Sequence, residues 1–144
     1  MKYISTRGRY TGRVDAAYAI KRGLAEDGGL FMPADIPALT KDELLALSGK
    51  SYNERAAYVI GKFLTDYSYD ELLEDACGAY AEEKFGPSPA PVYKIDENTF
   101  SLELWHGPTC AFKDMALQIM PRLFVRALRK TGEKRDALIL VATS

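Results

Sequence analysis

Residues 103–120 read ELWHGPTCAFKDMALQIM, and one side chain in this stretch decides how the chain is to be read. Lys113 follows a Gly-Pro turn and stands in an otherwise apolar run. If the segment is helical from Ala111 onward, Ala116, Leu117 and Met120 share the face of Lys113. All three are apolar, so the pattern predicts that Lys113 lies on a face to be buried. An unpaired ammonium is costly to bury, and buried lysines commonly respond by becoming neutral. A neutral amine in a partly dry pocket is what a lysine needs to form a Schiff base. The segment alone leaves a second reading open, in which Lys113 buries its stem and floats its head into water.

The rest of the chain narrows the classes. Its 144 residues are about one domain long. Hydrophobic residues make up 47% and charged residues 27%, an ordinary globular balance. A net charge of −1 provides no electrostatic footprint for nucleic acid or an anionic membrane. No apolar run approaches the roughly 20 residues that span a bilayer. The opening MKYISTRGRYTGR lacks the apolar core of a signal peptide. The expectation is a soluble cytoplasmic protein without nucleic-acid or membrane partners. Cys77 and Cys110 make neither a disulfide framework nor a zinc site, and the sole histidine, His106, cannot support a multi-histidine cluster, so no metal is expected.

The first half reads as helical. Thr40 with Glu43, Ser51 with Glu54 and Ser68 with Glu71 are three capping boxes. They predict helices over residues 41–48, from 52 to about 65, and from 69 to about 85, the last with an approximately amphipathic stripe of Leu72, Leu73, Ala76, Tyr80 and Lys84. An earlier helix is expected over residues 15–22, closed by Gly23, and DGGLFMP reads as a turn and a short strand. Gly86 stops the third capped helix, and GPSPAP follows as an extended connector. Beyond it, VYKI, the turn DEN, and TFSLELW read as a hairpin. The lysine helix comes next, with Pro121 expected to kink it. The uninterrupted apolar run ALILVATS then suits a buried strand of a parallel sheet. The chain therefore ends where open α/β sheets place their binding loops, as the leading piece of a larger protein would.

Three stretches resemble the N-terminal part of the threonine synthases, pyridoxal-phosphate (PLP) enzymes of the tryptophan synthase β-like fold. YISTRG at residues 3–8, with GLAEDGGLFMP at 23–33, resembles the opening of that family's first domain. LELWHGPTCAFKD at 102–114 resembles its lysine motif, and LVATS at 140–144 the start of its ATSGDTG loop. The implied fold class is α/β: a mainly helical N-terminal domain over residues 1–88, then the first strands and lysine helix of an incomplete PLP domain over residues 89–144. The resemblance implies that Lys113 holds PLP as a Schiff base, both anchor and catalytic group. It further implies that O-phosphohomoserine and water become threonine and phosphate, with Lys113 moving protons at Cα and Cβ while PLP stores electrons.

Smaller expectations attach to neighbouring residues. His106 and Thr109, in the HGPT turn, are candidates to line the substrate pocket, against a simple turn requirement for Gly107 and Pro108. Thr143 and Ser144 match the front of a loop that binds the substrate carboxylate in the family. Asp114 reads as a first-turn acid favoured by the helix dipole. The Gly-rich segment that holds the cofactor phosphate in the family is missing, so the 144 residues alone are expected to be inactive, with self-association through the apolar strand. Two rivals stand beside this reading: a threonine or serine dehydratase of the same fold, and a non-catalytic partner-binding domain derived from the family. The long segment before the lysine argues against a dehydratase.

Overall fold

The computed structural model describes residues 1–140. Seven helices and four short strands follow one another in this part. Strands β1 (Tyr3–Ser5) and β2 (Phe31–Pro33) flank helix α1 (Ala16–Arg22), and helices α2 (Lys41–Ser48), α3 (Tyr52–Phe63), α4 (Tyr69–Ala79) and α5 (Glu82–Phe85) follow. Strands β3 (Val92–Lys94) and β4 (Phe100–Leu102) and helices α6 (Asp114–Leu117) and α7 (Met120–Lys130) complete it. The architecture is mainly helical α/β with two small antiparallel sheets, β1–β2 and β3–β4.

Helix starts follow local chemistry. In all three capping boxes the hydroxyl of Thr40, Ser51 or Ser68 accepts from the backbone N–H three residues on, and the glutamate there accepts the cap's own N–H. Gly23 closes α1 at a φ of 72°, in the left-handed region open to glycine. The expected helix from 69 to about 85 is two helices. Tyr80 leaves the helical register because its ring is buried against Phe85 and Tyr52, and its hydroxyl donates to the Met115 carbonyl at 2.8 Å.

The DGG turn ahead of β2 is built around one carboxylate. Asp27 accepts from the Ser5 hydroxyl (2.6 Å) and from the backbone N–H groups of Gly29 (3.0 Å), Tyr10 (2.8 Å) and Arg9 (3.1 Å). These bonds, the Ser5 hydroxyl foremost, hold its pKa down at about 2. They tie residues 5–10 to the turn and so align β1 beside β2, with Ile4 opposite Met32.

The core is dominated by small side chains. Ala16, Ala17 and Ala19 of α1 and Ala127 of α7 are buried with Tyr3, Ala57 and Leu72, and the alanines let α1 and α7 approach closely. A second cluster joins Ala76, Ala79, Tyr80 and Phe85 to Ile119. Arg126 of α7 reaches the nearly buried Asp75 of α4 at 2.5 Å and Glu74 at 2.7 Å, and these acids raise its pKa further. Residues beyond the connector are thus bolted onto the helices before it.

Two expectations are corrected. Residues 137–140, the described part of ALILVATS, form no strand, and Leu138 and Leu140 are 84% and 85% exposed. A parallel strand takes its hydrogen bonds from neighbours, and the described residues place none beside it. Pro121 does not kink a continuous helix. It sits in the first turn of α7, where its missing N–H would have had no helical partner. Among the described residues no helix is long and apolar enough to cross a membrane.

Candidate active site

The hairpin β3–β4 leads directly into the lysine segment. Its turn is closed by Asp96, whose carboxylate accepts from the N–H groups of Asn98 (2.9 Å) and Thr99 (2.8 Å). Val92, Tyr93, Phe100 and Leu102 of the hairpin are all more than half exposed, as are Trp105 and Phe112 further on. The region around the lysine therefore carries a broad apolar surface.

The HGPT stretch forms a tight turn. The N–H of Cys110 donates to the Gly107 carbonyl at 3.0 Å, and Cys110 adopts a φ of 57°. Gly107 is buried against Asp114, and a Cβ on Gly107 would collide with that residue's Cβ. Asp114 is 1% exposed. Its Oδ2 accepts both the N–H (2.8 Å) and the hydroxyl (2.9 Å) of Thr109. Its Oδ1 is buried without a hydrogen-bond partner among the described residues.

Lys113 directly precedes α6, and its carbonyl accepts the N–H groups of Ala116 (3.0 Å) and Leu117 (2.8 Å). The side chain is exposed, as are Ala116, Leu117 and Met120. The expected buried face is therefore corrected. The helix lasts one turn and restarts at Met120, and the side chains that turn inward are Asp114, Ile119 and part of Met115. Lys113 makes no ion pair among the described residues, which leaves its amine open to a carbonyl reagent from solution. The clefts elsewhere on the chain, such as one of about 400 Å³ beside Asp66 and Lys130, are not lined by Lys113.

The other site expectations fare unevenly. Thr109 lies four residues from Lys113 in the same turn, with its hydroxyl hydrogen committed to Asp114. His106 is half-buried, its Nε2 lies 2.7 Å from Glu103 Oε2, and its ring stacks on Trp105. Thr143 and Ser144 lie outside the described residues. Asp114 does open α6, yet its carboxylate turns back five residues to Thr109, a contact outside the helix-dipole reading. The T-x-x-x-x-D spacing that directly follows Gly107 and Pro108 is a local signal for it.

Residues 2–80 match the family described as the threonine synthase N terminus. The chain is 38% identical to the threonine synthase of Pseudomonas aeruginosa over 148 aligned positions, covering all of this chain and 30% of that protein. It thus spans under a third of the curated relative's length. Among solved structures, the PLP-bound threonine synthase of Brucella melitensis superposes with a TM-score of 0.82 at 38% identity, over 92% of this chain and 28% of that one. The yeast threonine synthase does so with a TM-score of 0.81 at 31% identity, over 92% of this chain and 27% of that one.

Proposed function

The chain belongs to the threonine synthase family, and from that premise we infer that it supplies the lysine-bearing N-terminal part of a cytoplasmic, PLP-dependent enzyme. That enzyme converts O-phosphohomoserine and water into threonine and phosphate. In this reading residues 1–88 are its first domain, and the catalytic domain begins at residue 89.

The observation that carries the proposal is Lys113 itself. It is a primary amine, open to solution and unpaired among the described residues, launched from a turn that a buried carboxylate holds in place. These properties fit the anchor of an aldehyde cofactor. PLP, when bound, would act as the electron sink for carbanions at the substrate's Cα and Cβ. Lys113 Nζ would hold the cofactor covalently, and the same amine, when freed, would move the protons at Cα and Cβ of the substrate. Phosphate departs from Cγ, and water adds at Cβ. Thr109 and His106 stand close enough along the chain to shape the substrate side of the site, and Thr143 and Ser144 would lead into the carboxylate-binding loop.

The 144 residues by themselves lack threonine synthase activity in this proposal. Lys113 borders no cleft among those described, and no described element offers a cup for the cofactor phosphate, so PLP binds weakly and reversibly. The exposed Leu138 and Leu140 favour self-association.

The test is substrate choice in a complete synthase carrying this chain. Phosphate release from O-phosphohomoserine, lost in Lys113→Ala, is the expected result. Deamination of serine or threonine without phosphate release would put the dehydratase reading in its place.

A further inference from the structure

Resting on the reading of Lys113 as the cofactor lysine, we propose that Asp114 is a positioning residue for it, acting through Thr109 to fix the turn from which Lys113 projects. Neighbours in sequence, the two residues have opposite environments: Lys113 is exposed and Asp114 is 1% exposed. A carboxylate is costly to bury unless hydrogen bonds compensate it. Here a single oxygen takes both hydrogens that Thr109 can give, at 2.8 and 2.9 Å. The other oxygen has no partner among the described residues.

The backbone is arranged around this carboxylate. Only glycine lets residue 107 lie against it. The Gly107 carbonyl then takes the Cys110 N–H, and Cys110 is held in the left-handed region, which a residue with a Cβ enters only when its surroundings impose it. Asp114 thus ties residues 107–109 to the start of α6, and Lys113 lies inside the closed loop. A helix-dipole role does not explain the carboxylate, since α6 has four residues and the side chain points back to Thr109. Nor does α6 depend on the clamp for its packing. The Tyr80 hydroxyl already holds the Met115 carbonyl, and Ile119 is buried in the second cluster. The clamp governs the direction in which the Lys113 side chain leaves the backbone.

The experiment uses a complete synthase carrying this chain. It compares Thr109→Val, Thr109→Ser, Asp114→Ala and the Thr109→Val/Asp114→Ala double variant. Three quantities are read: the rate at which the apo-enzyme captures PLP in a borohydride-trappable form, the separate values of kcat and KM for O-phosphohomoserine, and the unfolding midpoint of the apo-enzyme. A misdirected lysine slows capture and lowers kcat about 10- to 100-fold in Thr109→Val and in Asp114→Ala, with KM little changed. The double variant is no slower than Asp114→Ala, because both changes break one unit. Thr109→Ser, which keeps the hydroxyl, returns near the wild-type rate. A folded Thr109→Val that captures PLP and turns over at wild-type rates overturns the proposal, as does an equal loss in Thr109→Ser. If Asp114→Ala does not fold, the two Thr109 variants decide alone. Trapped PLP persisting in Lys113→Ala marks a failure of the Lys113 reading; wild-type capture in Thr109→Val marks a failure of the clamp.

Discussion

The segment before residue 88 and the segment around Lys113 are organised on different principles. In the first, α2, α3 and α4 begin at satisfied caps, Leu72 and Phe85 are buried, and Asp27 ties a loop with four hydrogen bonds. In the second, the hairpin strands have three residues each, the lysine helix is one turn long, and large apolar side chains face outward. The first supplies most of the core, which Ala127 and Ile119 of the second complete. The second is attached to it through α7, the Tyr80 hydroxyl and Ile119, and leaves the face that carries Lys113 open. A core shared between the two parts can present a lysine on an otherwise lightly packed surface.

The widest gap between the two should appear in core truncations. Phe85→Ala is expected to destabilise the chain by about 3–5 kcal/mol, and Phe100→Ala, whose ring is largely exposed, by less than about 1 kcal/mol. Urea unfolding followed by far-ultraviolet circular dichroism measures both. Equal losses would mean that the hairpin is as well packed as the helical part.

Single polar contacts come next. Tyr80→Phe removes the hydrogen bond to the Met115 carbonyl, one of the links between the two segments, and should lower stability by about 1 kcal/mol. Ser68→Ala removes a cap within the first segment and should cost a similar ~1 kcal/mol. Hydrogen exchange separates the two. Tyr80→Phe loosens amides of α6, whereas Ser68→Ala loosens the first turn of α4.

The acid limb is the finest comparison. The Ser5 hydroxyl and three backbone N–H groups lower Asp27 from 3.8 to about 2, and Lys62 foremost lowers Glu43 from 4.5 to about 2. Folded-state values below the unfolded ones mean that this stability is present above the unfolded pKa, near pH 4, and is lost as pH falls toward 2. Thermal midpoints should therefore drop over that window, and the drop should be shallower in Asp27→Asn. Asp96, lowered by the N–H groups of the hairpin turn, is held by fewer bonds, so Asp96→Asn should change the limb less.

What the sequence made legible follows the range of the interactions. The three capping boxes, the Gly23 stop and the DEN turn involve residues within a few positions of each other, and the structure has them all. β1 went unread as a strand because its partner lies nearly thirty residues on. The break at Tyr80 depends on Phe85 and on a carbonyl at Met115, far outside any helical window. The face of Lys113 was misjudged for a related reason. Periodicity assumed a continuous helix, whereas the chain breaks between Leu117 and Met120 and turns Asp114 inward instead. The stretch LELWHGPTCAFKD is what singles out Lys113 as the proposed cofactor lysine. The clamp that holds it was not read there, because an aspartate after a lysine at a helix start already has a sufficient local explanation.

The most direct test of Lys113 as the cofactor lysine is to map where PLP attaches. A complete synthase carrying this chain is incubated with PLP, reduced with borohydride, digested and analysed by mass spectrometry, with the other lysines of the same chain as internal controls. The expected result is one labelled peptide, containing Lys113, at one PLP per chain, and no labelled peptide in Lys113→Ala. Label spread over surface lysines, or concentrated on a different one with Lys113 unmodified, would contradict it.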